Sequence, residues 1–231
     1  MAKRIGILGG ISYESTVKYY ELIHEKYYEK HGDYHYPEVV VFSLDFQRFT
    51  DLEDSGDVEG YVEYIMEGIE SLEKAGADFI LMAANSPHAV FDDVQAMSHV
   101  PLISIVDVVA DAAEKDGLGF LLLTGIKFTM QSTFYQAACG RRGIEVVTPS
   151  EVEQAEIDRI IFDELVVGVF KEESRRRFLE IIGGYDVDGV ILGCTELPLL
   201  VNQKDADVRL MNTLELHVEA ALDQSLSGSN P

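Results

Sequence analysis

Cysteine is scarce in this chain, which has only Cys139 and Cys194 among its 231 residues. Two thiols cannot form a disulfide framework or a cysteine metal cluster, and such low usage is typical of a reducing compartment. Lys and Arg are also few, with 18 against 41 Asp and Glu, and the formal net charge is -23. Nucleic acids and anionic membranes bind concentrated positive charge, so this balance argues against both as partners.

Long apolar runs are missing as well. None reaches the ~18 residues that span a bilayer. The N-terminus enters the apolar strand pattern Arg4–Leu8 almost at once, without a signal peptide pattern. We therefore expect a soluble, cytoplasmic protein. The hydrophobic content of 47% is enough for a buried core and excludes a disordered or fibrous chain.

Cofactor signatures are not found either. The sequence contains no P-loop, HExxH, GxSxG or paired-cysteine metal motif, and no motif that nominates a pyridoxal-phosphate lysine. The glycine turn Gly9–Thr16 does not match the dinucleotide pattern G-x-G-x-x-G. We expect neither a cofactor nor a metal.

Short apolar runs alternate with stretches of helical period, a pattern that predicts α/β units around parallel sheets. The predicted strands are Arg4–Leu8, Val39–Phe42, Phe79–Met82, Leu102–Ile105, Gly119–Leu123, Glu145–Val147, Gly189–Leu192 and Arg209–Met211. The predicted helices are Glu14–Lys30, Val58–Ala75, Val106–Lys115, Met130–Ala138, Glu151–Val167, Glu172–Ile182 and Leu214–Gln224.

An internal repeat divides the chain. Asp78–Ser86 aligns with Asp188–Glu196 at an offset of 110 residues (194 − 84). The segments that start at Val100 and Val208 align at a similar offset, and the turns at Gly10 and Gly125 match more weakly. The repeat predicts two pseudo-symmetric lobes, each a parallel-sheet α/β sandwich. Ligands bind beyond the carboxyl ends of such strands, so we expect a site in a cleft between the lobes, suited to an acid and a base on opposite faces of one carbon.

The segment Gly193–Glu196 stands at the end of the seventh predicted strand. Gly193 allows a close backbone approach to a ligand. Cys194 falls at the strand-to-helix turn, where a helix N-terminus lowers the pKa of a thiol and favours the thiolate. A thiolate can remove a proton from an activated carbon. A buried structural cysteine is the alternative, but the repeat and the polar neighbours favour catalysis.

The matching element of the first half differs in its chemistry. Asn85 and Ser86 can donate hydrogen bonds to a carboxylate, and Pro87 suits the start of the next helix. His88 is either a second proton donor or a histidine on the helix surface, and we favour the second interpretation. Ala84, at the position equivalent to Cys194, can carry no proton.

Two glycine turns are predicted to bind substrate. Gly10 opens a turn in which Ser12 is the predicted N-cap of a helix, with backbone N–H groups suited to an anion. Its counterpart in the second half contains Gly125, Lys127 and Thr129.

Three further residues have a structural explanation beside a functional one or in place of it. Asp45 and Arg48 are predicted on a loop that could reach the site, although a surface salt bridge explains them nearly as well. Cys139, at a predicted helix end, is interpreted as structural.

At these residues the sequence resembles the aspartate/glutamate racemase family, which includes aspartate, glutamate and hydantoin racemases, maleate isomerase and arylmalonate decarboxylase. The landmarks of the resemblance are Leu8–Thr16, Ser43–Phe46, Asn85–His88, Lys127–Met130, Ile160–Leu165 and Gly193–Glu196. The resemblance implies two lobes, racemisation by two bases without a cofactor, and a homodimer. It places the Cys-Thr-Glu motif on Cys194, Thr195 and Glu196, and it makes Thr195 and Glu196 candidate substrate-binding residues.

Three positions depart from the pattern that the resemblance implies. The first-half motif, Cys-Asn-Thr or Thr-Asn-Thr in the family, falls on Ala84, Asn85 and Ser86, so its first acid/base group is missing. Ile126 stands where a threonine would supply a hydroxyl, and Asn212 stands where the last strand usually ends in Asp. Either the substrate differs or the chemistry is reduced.

We therefore predict an amino-acid racemase that acts on aspartate, glutamate or a related amino acid by proton transfer at the α-carbon, with Cys194 as the one retained thiol. A decarboxylase of the same family stays open, because loss of carbon dioxide generates the carbanion and only one proton donor is needed. A catalytically impaired ligand-binding homologue stays open too. The expected partner is an amino acid or a dicarboxylate. The predicted lobes are 1–98 with 208–226, and 99–207, followed by a flexible tail at 227–231.

Overall fold

The computed structural model describes residues 2–227, and all strand pairs are parallel. Within this range the strands are β1 (Ile5–Gly9), β2 (Val39–Ser43), β3 (Phe79–Met82), β4 (Leu102–Ile103), β5 (Phe120–Thr124), β6 (Glu145–Val147), β7 (Gly189–Leu192) and β8 (Arg209–Asn212). The α-helices of the same range are α1 (Tyr13–His31), α2 (Phe46–Ser55), α3 (Val58–Lys74), α4 (Phe91–Met97), α5 (Ile105–Asp116), α6 (Lys127–Gln131), α7 (Phe134–Gly140), α8 (Glu151–Asp163), α9 (Glu172–Gly183), α10 (Leu197–Leu200) and α11 (Thr213–Leu226).

The strands form two sheets with the same internal order. The first sheet is β2-β1-β3-β4 and the second is β6-β5-β7-β8. Each sheet is the centre of one compact unit: the second unit is Val106–Leu216, and the first contains the described residues up to Ile105 and from His217 onwards. The shared strand order agrees with the internal repeat, and the predicted α/β class is confirmed. Among the described residues, no helix has both the length and the apolar character needed to cross a membrane.

The predicted lobe boundaries, 1–98 with 208–226 and 99–207, need correction at two strands. β4, predicted in the second lobe, pairs with β3 of the first sheet through Ile80 and Leu102. β8, predicted in the first lobe, pairs with β7 of the second sheet. A strand that follows a helical connection usually joins its sequence neighbour in the same sheet, so β4 belongs to the first lobe and β8 to the second. Of the predicted tail at 227–231, all but Ser227 lies outside the described residues.

The core of the first unit is organised by α3. Asp57 caps the helix, and its carboxylate accepts a hydrogen bond of 3.0 Å from the backbone N–H of Gly60. Ile65, Ile69 and Leu72 recur at helical spacing and are buried. They belong to the apolar cluster that also contains Leu8 of β1.

The second unit is built in the same way around α8. Ser150 and Glu153 form a capping box at its start. Ile157, Ile160 and Ile161 are buried, and they share an apolar cluster with residues of β5 and β7. The strands β3 and β7 are buried along their whole length, because helices cover both faces of a parallel sheet.

Two predicted helices are shorter than expected. Met130–Ala138 is not one helix, since α6 ends before an extended Ser132 whose hydroxyl donates to the Phe128 carbonyl at 2.7 Å. Serine side chains compete in this way with the helical backbone. Glu151–Val167 ends at Asp163, and Leu165–Val167 is a separate 3₁₀ turn.

A buried hydrogen-bond chain ties α11 to the first sheet. The Tyr19 hydroxyl donates to His217 Nδ1 at 2.8 Å, and His217 Nε2 donates to the Ile103 carbonyl at 2.9 Å. Both side chains are fully buried. Burial lowers the pKa of His217 to about 4, so the imidazole stays neutral near pH 7 and holds one tautomer between its two partners.

This histidine predicts a pH dependence of stability. The pKa of His217 is about 4 in the folded protein and about 6.5 in an unfolded chain. The stabilisation is therefore present above pH ~6.5 and is lost as the pH falls towards ~4, a loss on the order of 3 kcal/mol. The free energy of unfolding, measured with urea across this pH range, should change less with pH in His217→Gln than in the wild type. The exposed His99→Gln is the control, and an unchanged slope in His217→Gln would contradict the prediction.

Candidate active site

A close approach of two strand ends forms the floor of the site in the second unit. The backbone N–H of Gly193, just after β7, donates to the Thr124 carbonyl of β5 at 2.8 Å. A Cβ at Gly193 would lie 2.6 Å from that carbonyl oxygen, and one at Gly125 would lie 2.9 Å from the Gly193 carbonyl oxygen. Both contacts are with backbone that cannot yield, so both positions require glycine. The sequence predicts a close approach of the Gly193 backbone to a ligand. In the structure, this backbone closely approaches β5.

Cys194 follows directly and contacts a carboxylate. Its thiol donates to Glu196 Oε2 at 2.9 Å, and the Thr195 hydroxyl donates to the same oxygen at 3.0 Å. All three side chains are buried, with Cys194 at 8% and Glu196 at 4% exposure. The three consecutive residues therefore form one hydrogen-bonded group at the carboxyl end of the sheet.

The predicted thiolate at Cys194 is wrong for this structure. Burial raises the pKa of Cys194 well above the usual range of a thiol, and the charge of Glu196 raises it further. The following helix α10 has only four residues, too few for its dipole to offset a neighbouring carboxylate. The resting group is a proton-bearing thiol in contact with a base.

Thr129 brings a hydroxyl to the same strand end. It is 1% exposed, and its Oγ1 has no hydrogen-bond partner among the described residues. Its Cγ2 lies 3.5 Å from the position that a Cβ of Gly193 would take. A buried hydroxyl without a partner is costly, and a substrate acceptor would satisfy it.

Lys127 and Asp158 lie nearby with different roles. The backbone N–H of Lys127 donates to the Asp158 carboxylate at 2.6 Å, while the Lys127 side chain is exposed. The charge of Asp158 also acts to raise the pKa of Cys194. Sequence analysis missed Asp158, which is positioned by α8 and gives no motif of its own.

The equivalent element of the first unit follows β3. Ala84, Asn85 and Ser86 are all buried, and Ser86 begins a 3₁₀ turn, with Pro87 in its first positions, that precedes α4. The Ser86 side chain hydrogen-bonds with Glu53 and Tyr61. Glu53, in α2, was also missed by sequence analysis, because α2 itself was not predicted.

His88 is neither a surface residue nor a free proton donor. It is 3% exposed, its Nδ1 lies 3.1 Å from the Ala84 carbonyl, and its Nε2 accepts from the Ile105 backbone N–H at 3.1 Å. Both ring nitrogens are therefore used, with the proton on Nδ1. The ring stacks on Phe91. Its role is to join the segment that follows β3 to the start of α5.

The first glycine turn is confirmed as a cap but offers fewer donors than predicted. Ser12 is the N-cap of α1, and its side chain accepts from the Ser15 backbone N–H. The Gly10 backbone N–H is taken by the Thr16 hydroxyl at 2.8 Å. Gly10 has a φ of +85°, and a Cβ there would lie 2.4 Å from the Leu44 carbonyl oxygen. Gly10 therefore shapes the turn, and its backbone N–H already donates to Thr16 and is not available to an anion.

Arg48 lies in helix α2 and not on the predicted loop, whereas Asp45 lies in the loop just before that helix. Asp45 is the N-cap of α2 and accepts from the Arg48 backbone N–H at 3.2 Å. The exposed Arg48 side chain pairs with Glu67 and covers the ring of Tyr64. For Arg48, the alternative interpretation as part of a surface salt bridge is therefore the one that the structure supports.

The remaining departures from the family pattern have structural roles here. Ile126 packs against the core of the second unit. Asn212 accepts from the Glu215 backbone N–H at 3.3 Å at the start of α11, a capping task that Asn performs as well as Asp. Cys139 is fully buried, and burial raises its pKa to about 11, in keeping with the structural interpretation.

In residues 2–227, no group of three or more His, Cys, Asp or Glu side chains is arranged to hold a metal ion. The cleft expected between the lobes, and the substrate-binding roles of the residues named above, stay predictions.

The contact between Cys194 and Glu196 predicts the titration of the thiol. Replacing Glu196 by Gln removes the negative charge that favours the protonated form, so the pKa of Cys194 should fall and thiolate should form at lower pH. Thiolate absorbance in a Cys139→Ala background measures Cys194 alone. The exposed Glu145→Gln is the control, and an unchanged or higher midpoint in Glu196→Gln would contradict the assignment.

The comparisons with known proteins agree on one family. Residues 8–221 match the model of the Asp/Glu/Hydantoin racemase family. The broad specificity amino-acid racemase RacX of Bacillus subtilis (strain 168) is 23% identical over 219 residues, which cover 90% of this chain and 92% of RacX. The crystal structure of an aspartate racemase homologue from Pyrococcus horikoshii OT3 is 40% identical with a TM-score of 0.85, covering 96% of this chain and 99% of that chain. Picrophilus torridus aspartate racemase shares the fold, at 24% identity, a TM-score of 0.80, and coverage of 96% and 94%. The predicted resemblance is confirmed, and the chain belongs to the Asp/Glu/Hydantoin racemase family.

Proposed function

We propose that the protein is a cofactor-independent racemase for aspartate, glutamate or a related amino acid, in which Cys194 transfers the α-proton. The observation that carries the proposal is the buried thiol in contact with Glu196 at 2.9 Å. Family membership supports it. So do the relatives, one named as a broad specificity amino-acid racemase and one as an aspartate racemase homologue.

The contact of thiol and carboxylate allows proton transfer in both directions. Glu196 accepts the thiol proton, and the thiolate then removes the proton from the α-carbon. The electron pair of that C–H bond stays on the carbon and spreads into the substrate carboxylate. In the reverse direction the protonated thiol returns a proton to the carbanion. The high pKa of Cys194 makes its thiolate a strong base once it forms.

The charges around Cys194 favour an amino acid over a malonate. Glu196 and Asp158 both place negative charge near the thiol. An α-ammonium group is attracted to such a place and would lower the pKa of Cys194 when it binds, whereas a malonate brings two carboxylates and no ammonium group to offset the charge. This electrostatic preference supports the racemase over the decarboxylase alternative.

Thr129 is our candidate donor to the substrate carboxylate. It lies beside Gly193, and its hydroxyl is buried without a partner in the described part of the chain. Hydrogen bonds to charged groups are worth roughly 1.5–3 kcal/mol, enough to orient a substrate next to the thiol.

Solvent exchange tests the proposed reaction. Incubation of L- and D-aspartate, glutamate and further amino acids in D₂O should bring deuterium into Cα. Cys194→Ala should lower this exchange by roughly 10²–10⁴-fold, as the loss of a proton-transfer group does. Cys139→Ala, which removes the other thiol, is the matched control and should keep the wild-type rate.

Two outcomes would overturn the proposal. One is the absence of exchange with every amino acid tested, in which case release of carbon dioxide from malonates becomes the next measurement. The other is full activity in Cys194→Ala.

Thr129→Val tests the carboxylate contact. The substitution keeps the shape and removes only the hydroxyl, so KM should rise about tenfold or more. Because the hydroxyl lacks a partner in the structure, the free energy of unfolding should stay equal or increase. A fall in stability with an unchanged KM would assign Thr129 a purely structural role.

A further inference from the structure

The helix that carries Thr129 has no cap of its own. α6 contains only the five residues Lys127–Gln131, and its N-cap residue, Ile126, makes no side-chain hydrogen bond to the helix. The first N–H groups of a helix have no partners within it, and a helix of one or two turns is not stable by itself. The position of α6 is therefore determined by the elements that it contacts.

Two side chains of α8 contact the two ends of α6. The Asp158 carboxylate accepts a hydrogen bond of 2.6 Å from the backbone N–H of Lys127, the first residue of α6. At the last residue of α6, the Gln131 side chain donates to Gln154 Oε1 at 3.4 Å. Gln154 and Asp158 are four residues apart (158 − 154) and so lie on the same face of α8. One face of α8 thus binds the short helix at both of its ends.

α8 is itself fixed at its start and along its core face. The capping box of Ser150 and Glu153 closes its first turn. Ile157 and Ile161 are fully buried in the apolar cluster of the second unit. Asp158 follows Ile157 directly and is half-buried. Its carboxylate is therefore presented to α6 from a helix that the core holds in place.

The contact at Lys127 determines where the Thr129 hydroxyl lies. Thr129 is in the single turn that Asp158 caps, and its Cγ2 lies 3.5 Å from the position that a Cβ of Gly193 would take. The hydroxyl is buried and has no hydrogen-bond partner within the described chain. A shift of so short a helix at its first residue moves all of its side chains. The place of this hydroxyl, beside the residue that precedes Cys194, therefore depends on Asp158.

A charged cap is the stronger of two possible caps at this position. Asn caps a helix about as well as Asp, and it would not add the negative charge by which Asp158 raises the pKa of Cys194. A hydrogen bond to a carboxylate is shorter and roughly twice as strong as one between neutral groups. The distance of 2.6 Å at Lys127 is in keeping with such a bond. The carboxylate thus holds α6 more firmly, although its charge opposes formation of the thiolate.

We propose that Asp158 is a positioning residue of this racemase, which holds α6 so that the Thr129 hydroxyl can donate to the substrate carboxylate. The inference rests on the function proposed above. Asp158 acts through the Lys127 backbone N–H and not on the reacting atoms, and every residue of the arrangement belongs to the second unit. Loss of the hydrogen bond should weaken substrate binding while proton transfer by Cys194 continues.

Two substitutions separate the hydrogen bond of Asp158 from its charge. Asp158→Asn loses the charge but keeps an oxygen that accepts from the Lys127 N–H, whereas Asp158→Ala loses both. The ratio of their KM values therefore measures the hydrogen bond alone. With the amino acid that exchanges fastest in D₂O as substrate, KM should be roughly five- to tenfold higher in Asp158→Ala, with a much smaller difference in kcat. Asp163→Ala, which removes an exposed carboxylate of the same helix, is the matched control and should keep the wild-type KM.

The same pair of variants in a Thr129→Val background shows whether the hydrogen bond acts through Thr129. Thr129→Val has no hydroxyl to position, so Asp158→Ala and Asp158→Asn should have nearly equal KM values in this background. Their free energies of unfolding should differ in both backgrounds, because the cap stabilises α6 with or without that hydroxyl. A purely structural cap would lower the stability of Asp158→Ala and leave the KM ratio near one in the wild-type background.

The outcomes separate this inference from the proposed function. Equal KM values for Asp158→Ala and Asp158→Asn, or a ratio that persists with Thr129→Val, would overturn the inference and leave the role of Cys194 intact. If Asp158→Ala does not fold, Asp158→Glu replaces it: the charge stays, the carboxylate moves by one methylene group, and an unchanged KM would overturn the inference. Failure of the wild type to exchange any α-proton would overturn the proposed function and this inference with it.

Discussion

The chemistry of the second unit depends on how closely the main chains of β5 and β7 approach each other at their carboxyl ends. Gly193 donates to the Thr124 carbonyl at 2.8 Å, and neither Gly193 nor Gly125 has room for a Cβ. This contact determines where β7 stops and the next residue turns. Cys194 consequently emerges at the sheet end, with Glu196 folded back onto its thiol. A larger residue at either glycine would press its Cβ against the neighbouring backbone and displace the thiol.

The first unit has the same strand order but a different arrangement of polar side chains after its central strands. Both units have the same strand order, and in both a glycine turn and a buried polar segment follow central strands. In the second unit the carboxylate comes from Glu196, two residues after the thiol. In the first unit it comes from Glu53, on a helix some thirty residues earlier in the chain (86 − 53 = 33), and it meets the Ser86 hydroxyl. A duplicated fold thus keeps a carboxyl group beside a proton-bearing side chain in each half, although the repeat does not align the two carboxyl groups.

The sequence predicts the eight strands well because each is a short, largely apolar run between turns or helices, and Cys194 because it follows one of them directly. It does not predict α2, whose apolar residues are few and whose cap, Asp45, resembles any loop aspartate. It also misplaces His88, since a polar residue that bonds two backbone groups in the interior looks the same in sequence as one on a helix surface. Glu53 and Asp158 were missed for a related reason: helix residues reach the strand ends through packing, and no local pattern records that packing. Burial and the charge of Glu196 determine the ionisation state of Cys194. The position of a residue in a predicted turn reveals neither its burial nor its charged neighbours.

The net charge of the protein acts at long range, whereas Glu196 and Asp158 act at short range on Cys194. The short-range charges determine the protonation state of the thiol. A net charge of -23 repels an acidic amino acid from afar, but exposed charges are screened beyond about 10 Å at 0.1 M salt. Within the site, Glu196 and Asp158 raise the pKa of Cys194, so the free enzyme holds its proton. In the proposed function, an arriving α-ammonium would offset those charges and lower the pKa of the thiol, so that ionisation would depend on the presence of substrate. A protonated, buried thiol is inert towards oxidants and electrophiles. In the proposed function, the two carboxylates that oppose formation of a thiolate therefore also keep the thiol protonated until an amino acid binds.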